Sequence, residues 1–284
     1  MKNQSPTWLE KPWSFWRELI QQAARDRVDA EAARVAFFLF LSLFPFILTL
    51  FAVTSWFGGE LVFRWIMSQL TATLPGQASL AVEDFVREVT RSPSAGLVSV
   101  GLLLTFWSAS NAFAALSDGL NAAYRVQRQH RWWKKRALSF VLLVVMSAAA
   151  IGSAIVVLAG PEIASTLNVP TLESFFRWPL TYLLAVALSW LIYLLLPNHD
   201  QSREKRRILV GAVVGTSLWV LGTMAFRAYV ANFDRFHIVY GFLGGVVMLQ
   251  LWCYMTALSI LLGGEVAAIL ERRRTSEKQV FKAP

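Results

Sequence analysis

The chain has 284 residues, of which 56% are apolar and 16% charged, and its formal net charge is +9 at pH 7. Soluble domains average about 45–50% apolar and about 25% charged residues, so this composition excludes a disordered chain, a fibrous repeat and an ordinary soluble enzyme. The one cysteine, Cys253, excludes an intrachain disulfide and a cysteine-clustered metal site. The apolar residues fall in long charge-free runs, a pattern typical of a polytopic membrane protein.

Residues 1–34 predict a cytoplasmic helix at the membrane interface. Proline suits the first turn of a helix, where its missing N–H has no partner to lose, and Pro12 marks that turn. One face of this helix is apolar, and it carries Trp13, Trp16, Leu19 and Ile20. Such a helix lies among the lipid headgroups or packs as an arm against the membrane helices, and both alternatives stay open.

Residues 35–264 predict an all-α domain of six transmembrane helices. The helices correspond to charge-free runs of 19 to 27 residues: Val35–Phe57, Ala95–Ser117, Ala137–Gly160, Trp178–Pro197, Ile208–Phe226 and Ile238–Gly264. About 20 helical residues cross a hydrocarbon core of about 30 Å, so each run is long enough to span. The longest connection, residues 58–94, reads as two short amphipathic helices outside the membrane, where protein partners could bind.

The distribution of Lys and Arg predicts the orientation. The N-terminal segment, every second connection and the tail at 265–284 together hold 21 basic residues, whereas the other connections hold 6. Basic residues accumulate on the cytoplasmic side of membranes, so both termini are expected in the cytoplasm. The basic residues that set this orientation account for the positive net charge. The charge therefore does not indicate a nucleic-acid partner, and none is expected.

The cytoplasmic connection at residues 124–136 combines six basic residues and no acid with the pair Trp132 and Trp133. Basic and aromatic side chains at the start of a membrane helix favour binding of anionic lipid headgroups. The alternative is that these charges serve only to set the orientation.

The second predicted span carries a polar stripe. Trp107, Asn111, Ala114, Asp118, Asn121 and Arg125 follow one another at intervals of three or four residues. This spacing places them on one helix face, which cannot point at lipid tails without cost. The face predicts either a polar lining for a substrate route or hydrogen bonds that hold the helices together.

Other polar or helix-breaking residues extend this hypothesis. Gln250 lies in the last span and Glu265 at its cytoplasmic end, where Arg34 begins the first span. Pro45, three residues after Ser42, removes a helical hydrogen bond and could expose backbone to a ligand, although a packing kink is the alternative. The four charged or amide groups Arg34, Asp118, Asn121 and Glu265 could form one cluster at the inner leaflet. The candidate substrate-binding residues are Asn111, Asp118, Asn121, Arg125, Arg34, Gln250, Glu265, Ser42 and Pro45.

The sequence contains no recognisable catalytic or cofactor motif. The three histidines are scattered, and no phosphate loop, zinc-protease motif or nucleophile elbow is present. We therefore expect no enzyme activity, no cofactor and no metal site.

Several blocks, in order along residues 30–270, resemble the YihY/BrkB family of bacterial inner-membrane proteins, formerly labelled ribonuclease BN. They are Ala36–Pro45 (AFFLFLSLFP), Trp107–Asn111 (WSASN), Tyr240–Gly244 (YGFLG) and Leu262–Glu265 (LGGE). The resemblance implies a six-helix membrane protein whose relatives have been labelled a transfer-RNA-processing ribonuclease, a virulence factor and a lipid-related transporter. Hydrolysis of RNA by metal ions needs clustered carboxylates and histidines, which this chain lacks in sequence.

Two functional hypotheses follow. The first is a transporter or flippase that moves a lipid or a lipid-linked anion along a polar route lined by the second and sixth helices. The second is a membrane scaffold or partner protein that transports nothing.

Overall fold

The computed structural model describes residues 12–56, 95–126, 133–146, 148, 170–198, 205–231 and 236–282, and it shows seven helices and no strand within these ranges. In chain order they are α1 (Pro12–Arg25), α2 (Val28–Trp56), α3 (Ala95–Ala123), α4 (residues 133–146), α5 (Pro170–Leu195), α6 (Lys205–Ala231) and α7 (Phe236–Lys282). The predicted all-helical class is confirmed for this part of the chain.

Three of these helices contain stretches long and apolar enough to cross a membrane, namely Ser99–Ala123, Lys205–Val230 and Gly244–Arg273. They coincide with the second, fifth and sixth predicted spans. A shorter apolar stretch, Pro179–Leu195, lies in the fourth. The count of six spans stays a prediction. The connection at 58–94 and much of the third run fall outside the described residues.

Two helices extend beyond the predicted boundaries. The helix α2 begins at Val28, before the first apolar run, and α7 continues for 47 residues through most of the predicted tail. At 1.5 Å per residue α7 is about 70 Å long, roughly twice the thickness of the hydrocarbon core. Charged residues end an apolar run, but Glu, Lys and Arg are good helix formers, so they do not end the helix.

The chain divides into two units. The first takes its residues from Met1–Ala32, Leu116–Trp219 and Leu258–Pro284, and the second from Ala33–Ala115 and Val220–Ala257.

In the first unit, α1 packs on the C-terminal half of α7. Leu19 is buried against Val266 and Ile269, with Phe15 at the edge of the cluster. One side of the predicted apolar face therefore packs on protein, as the packing-arm alternative requires. The other side does not, because Trp16 is 52% and Ile20 68% exposed.

Glycines bring α6 and α7 into close contact in the same unit. A Cβ atom on Gly263 would lie 2.7 Å from the Cα of Gly215 and 2.8 Å from the carbonyl oxygen of Gly211. Tyr193 of α5 closes the other side, and its hydroxyl donates a 2.6 Å hydrogen bond to the carbonyl of Ile260. This close approach at Gly211 and Gly215 holds the C-terminal half of α7 against α6.

The second unit is packed through aromatic and small residues. Phe38 of α2 meets Trp107 of α3 edge to face, with ring centroids 6.5 Å apart. Gly222 of α6 leaves room for the side chain of Met255 of α7. Pro45 lies inside α2, as expected for a proline that interrupts the hydrogen bonds of a continuing helix.

Candidate functional site

The helix α3 ends in a tight turn that reorients Arg125. The N–H of Arg125 donates to the carbonyl of Ala122 (2.9 Å), and the N–H of Val126 donates to the carbonyl of Asn121 (3.0 Å). This pair of bonds is the Schellman motif, which normally has glycine at the position that Arg125 occupies with a φ of 52°. Because the helix has already ended, the predicted polar face does not extend to Arg125.

The helix α1 ends in a similar way. Arg27 has the same φ of 52°, and its N–H donates to the carbonyl of Ala24 (3.4 Å). An arginine costs more than glycine in this left-handed conformation. Backbone strain of this kind is often found at functional sites, and both turns carry it.

The side chain of Arg125 lines a cleft in the first unit. The cleft has a volume of about 290 Å³. Its walls come from α1, the turn after α3 and the C-terminal half of α7, and among the described residues they include Glu18, Gln21, Gln22, Arg25, Arg125, Arg272 and Arg273. Four guanidinium groups face one carboxylate, so the arginine cleft carries a formal charge of +3.

Two of these arginines are held in place by contacts within the unit. Arg273 donates from its Nε to the Glu18 carboxylate (3.1 Å), and its guanidinium lies 5.4 Å from the centre of the Phe15 ring. Arg272 donates from its Nη1 to the carbonyl of Ala123 (3.0 Å), the last residue of α3. A cation there is favourable because the C-terminal end of a helix is the negative end of its dipole.

The volume and charge of the cleft limit what it can bind. Pockets for drug-sized ligands usually measure about 300–1,000 Å³, so this cleft is suited to a small group such as a phosphate. Arginine is also the residue best suited to phosphate, since its planar fork donates two parallel hydrogen bonds. The size and charge of the arginine cleft therefore suit a small anion.

Glu265 lies behind the cleft. Its side chain is fully buried, and neither carboxylate oxygen has a hydrogen-bond partner among the described residues. Its charged and polar neighbours are the carboxyl of Asp26, the side-chain amide of Gln22 and the guanidinium of Arg272. Asp26, in the turn between α1 and α2, also has a buried oxygen, Oδ2, with no such partner in the described structure.

The sequence hypothesis placed Glu265 near Asp118 and Asn121, but these residues have other partners. Asp118 forms an ion pair with Lys135 of α4. Asn121 is buried, and its Oδ1 accepts a 2.8 Å hydrogen bond from the N–H of Asn198 after α5. Both contacts link α3 to a neighbouring element, as polar residues that hold helices together would do.

The remaining candidates belong to the second unit. Ser42 donates to the carbonyl of Leu39 (2.7 Å) within its own helix, one turn before Pro45. Asn111 is half-buried on α3 and Arg34 is exposed on α2. The Oε1 of Gln250 is buried with no hydrogen-bond partner among the described residues. Among the candidates of the second unit, Gln250 therefore has a buried polar atom that the packing does not account for.

Sequence reasoning missed Asp26, Gln22 and Arg272. Each is one of many polar residues in segments predicted as cytoplasmic, and no periodicity distinguishes it from its neighbours. Within the part of the chain that the structure describes, no group of three or more His, Cys, Asp or Glu could hold a metal ion.

Comparison with known proteins identifies relatives along nearly the whole chain. A family model described as "Virulence factor BrkB" matches residues 19–283. The ribonuclease-like protein YfkH of Bacillus subtilis (strain 168) is 28% identical over 269 residues, which cover 92% of this chain and 96% of YfkH. A UPF0761 membrane protein of Aliivibrio salmonicida (strain LFI1238) is 28% identical over 274 residues, covering 92% of this chain and 84% of that protein. A UPF0761 membrane protein of Vibrio vulnificus (strain YJ016) is 25% identical over 272 residues, with 92% and 83% covered. No solved structure matches the chain.

Proposed function

Because the chain belongs to the BrkB family of membrane proteins, we propose that it binds the anionic headgroup of a lipid, or of a lipid-linked anion, in the arginine cleft and moves that molecule across the bilayer. The proposal includes the predicted topology, with six spans in the bacterial inner membrane, residues 58–94 outside and both termini in the cytoplasm. In that orientation the cleft opens at the inner leaflet.

One observation carries the proposal: the arginine cleft adjoins an apolar groove. The groove measures about 480 Å³ and is lined by Trp16, Arg17, Ile20 and Gln21 of α1. Gln21 also lines the arginine cleft, so the two cavities share a wall. A basic cavity beside an apolar one matches an amphiphilic molecule with a charged head and an acyl chain.

The exposed face of α1 supports the same assignment. Trp16 and Ile20 are exposed on a helix whose adjacent side, with Leu19 and Phe15, packs on protein. Tryptophan and apolar residues on the outer face of an amphipathic helix insert at the headgroup boundary, and each nearby arginine adds about 1 kcal/mol of attraction to anionic lipid. In this proposal α1 is the interfacial helix expected from the sequence, and it presents the cleft to lipid.

Movement of the lipid is the sequence-based part of the proposal. Asn111 and Asp118 of the second span and Gln250 of the sixth are the polar groups expected along the route. The competing function is a scaffold without transport. The contacts of Asp118 with Lys135 and of Asn121 with Asn198 favour that alternative, because they occupy predicted route residues with structural partners.

The proposal does not include an enzyme activity. The name of YfkH describes a ribonuclease-like protein, whereas the other relatives are described as membrane proteins. We expect the purified chain to leave RNA intact in the presence of Mg²⁺ or Mn²⁺. Metal-dependent cleavage that co-purifies with the chain and disappears on a single substitution in it would show that an enzyme activity is present.

A vesicle assay tests headgroup binding and transport together. The protein is reconstituted with phosphatidylglycerol or with phosphatidylcholine alone, and the accessibility of a fluorescent lipid to an external quencher reports its movement between leaflets. We expect Arg272→Gln to reduce movement of the anionic lipid, since glutamine still offers a donor to the carbonyl of Ala123 but carries no charge. Arg206→Gln is the matched control, because Arg206 is exposed on α6 of the same unit and does not line the cleft.

Three results are informative. Wild-type movement with selective loss in Arg272→Gln supports the proposal. Equal loss in both variants assigns the effect to general surface charge and contradicts headgroup binding in the arginine cleft. Binding of phosphatidylglycerol without any movement supports the scaffold.

A further inference from the structure

We propose that Glu18 makes the arginine cleft selective for a phosphodiester lipid whose headgroup carries hydroxyl groups, such as phosphatidylglycerol. In this arrangement Arg25 and Arg125 bind the phosphate, and a headgroup hydroxyl donates a hydrogen bond to the Glu18 carboxylate. The inference rests on the proposed function for the presence of a lipid in the cleft. It adds the headgroup chemistry that the cleft selects and the residue that makes the selection.

Glu18 offers an accessible acceptor. Among the described residues that line the cleft it is the only acid, and its side chain is 39% exposed, so a bound molecule can reach it. Arg273 donates to it from Nε (3.1 Å) and from Nη2, and both bonds end on the same carboxylate oxygen, Oε2. The other oxygen, Oε1, takes part in neither bond and can accept a hydrogen bond from a ligand.

The four arginines of the cleft differ in what they can do. Arg272 donates to a backbone carbonyl at the end of α3, and Arg273 is engaged by Glu18. Arg25 and Arg125 also line the cleft, and both are exposed. They can turn to a phosphate without breaking either of these contacts, so they are the arginines assigned to it.

The acceptor and the cations lie at different ends of the α1 wall. Glu18 and Arg25 are seven residues apart on this helix, which is two turns, or about 10 Å along its axis. Gln21 and Gln22 lie between them and line the same cleft. Along α1 the wall therefore changes from an anionic acceptor, through neutral amides, to a cation.

A ligand that spans this wall must present a different group at each end. A phosphate matches the arginine end, because a guanidinium group donates two parallel hydrogen bonds to phosphate oxygens. An ionised carboxylate accepts hydrogen bonds and donates none, so a further phosphate oxygen would be repelled at Glu18, whereas a hydroxyl group supplies the donor. An ammonium headgroup also has donors, but it would enter a cleft of formal charge +3. A hydroxylated, anionic phosphodiester fits both ends.

Two lipids of equal charge test the selectivity. Dihexanoyl phosphatidylglycerol and dihexanoyl phosphatidylmethanol have the same phosphodiester and acyl chains, but only the first has headgroup hydroxyls. Their affinities are measured by calorimetry with the full chain in detergent. Since one hydrogen bond separates the two complexes, we expect the wild type to bind phosphatidylglycerol roughly 2- to 10-fold more tightly.

Glu18→Ala removes the acceptor and releases Arg273. Phosphatidylmethanol should then bind more tightly than it does to the wild type, and the preference for phosphatidylglycerol should disappear. If Glu18 has only a structural role, both affinities change by the same factor and the preference keeps its wild-type value, which would overturn the assignment. Should Glu18→Ala not fold, Glu18→Gln decides, since its neutral oxygen is a weaker acceptor: a reduced preference supports the assignment and an unchanged one contradicts it.

Asp29→Ala is the matched control. Asp29 is an exposed acid in the first turn of α2 and is not among the residues that line the cleft. This variant should keep the wild-type preference, and its loss there would assign the selectivity to general surface charge. Glycerophosphoglycerol, the deacylated form of the lipid, should bind more weakly than the lipid itself. Equal affinity would identify a soluble phosphate ester as the ligand and overturn the lipid assignment.

The same titrations separate this inference from the proposed function. Equal binding of the two lipids by the wild type rejects the role of Glu18 and leaves headgroup binding intact. Binding of neither lipid rejects the proposed function, and the selectivity with it. A preference that disappears in Glu18→Ala, in a protein that moves no lipid in vesicles, supports the selectivity and rejects transport.

Discussion

Replacing Arg125 by glycine separates the role of this residue in folding from its role in binding. The residue has a φ of 52° in the turn after α3, and its side chain lines the arginine cleft. Glycine adopts this conformation at no steric cost, but it removes the guanidinium. We therefore expect Arg125→Gly to raise stability and to weaken anion binding at the same time.

Both magnitudes follow from the structure. The left-handed conformation costs a residue with a Cβ atom about 1–2 kcal/mol, and glycine removes this cost. Glycine also has more freedom in the unfolded chain, which lowers the stability of the folded state by roughly 0.5–1 kcal/mol. The net increase in the free energy of unfolding is about 0.5–1 kcal/mol, or about 1–4 °C in the unfolding midpoint for a chain of this size. Removal of one exposed arginine near anionic lipid costs about 1 kcal/mol of binding, which is roughly a fivefold weaker affinity.

Thermal unfolding in detergent and titration with dihexanoyl phosphatidylglycerol measure the two effects. Arg125→Ala should lose the same affinity without the gain in stability, because alanine keeps the strained backbone. Arg27→Gly is the matched control, since Arg27 has the same φ but does not line the cleft, and it should gain stability alone. A less stable Arg125→Gly, or one with unchanged affinity, would refute this reasoning.

Three further predictions concern packing, the polar stripe and topology. Gly263→Ala should lower the free energy of unfolding in a thermal melting assay by about 1–3 kcal/mol, since its Cβ would overlap the backbone of α6. Gly245→Ala is the control and should not destabilise the protein, because no neighbouring atom lies within 4 Å of the new Cβ. Asn111→Ala and Asp118→Asn should abolish lipid movement in vesicles while the amount of inserted protein is unchanged. If the variants are instead less stable to heat and their activity follows the amount of protein, the polar stripe only holds the helices together. Gln279→Cys, in a chain whose natural cysteine is replaced by alanine, should resist a membrane-impermeant thiol reagent added to intact cells, and labelling from outside would refute the cytoplasmic C-terminus.

The arginine cleft shows why the candidate site was only partly predictable. Glu265 and Arg125 were recognised because a charge at the edge of an apolar run is conspicuous and costly. Their partners Gln22, Asp26 and Arg272 were not, since each lies among other polar residues in segments predicted as cytoplasmic. Periodicity describes the faces of one helix, and it carries no information about which distant helix a face meets.

The sequence by itself determined the helical class, the membrane character of the chain and the family, because long charge-free runs and contiguous motifs are local properties. It also located Pro12 at the start of α1. Only the tertiary structure decided that α3 ends before Arg125, and that α1, the turn after α3 and the C-terminal half of α7 enclose one cleft. Those contacts join residues more than a hundred positions apart, and they depend on how whole helices pack rather than on the residues next to each group in the chain.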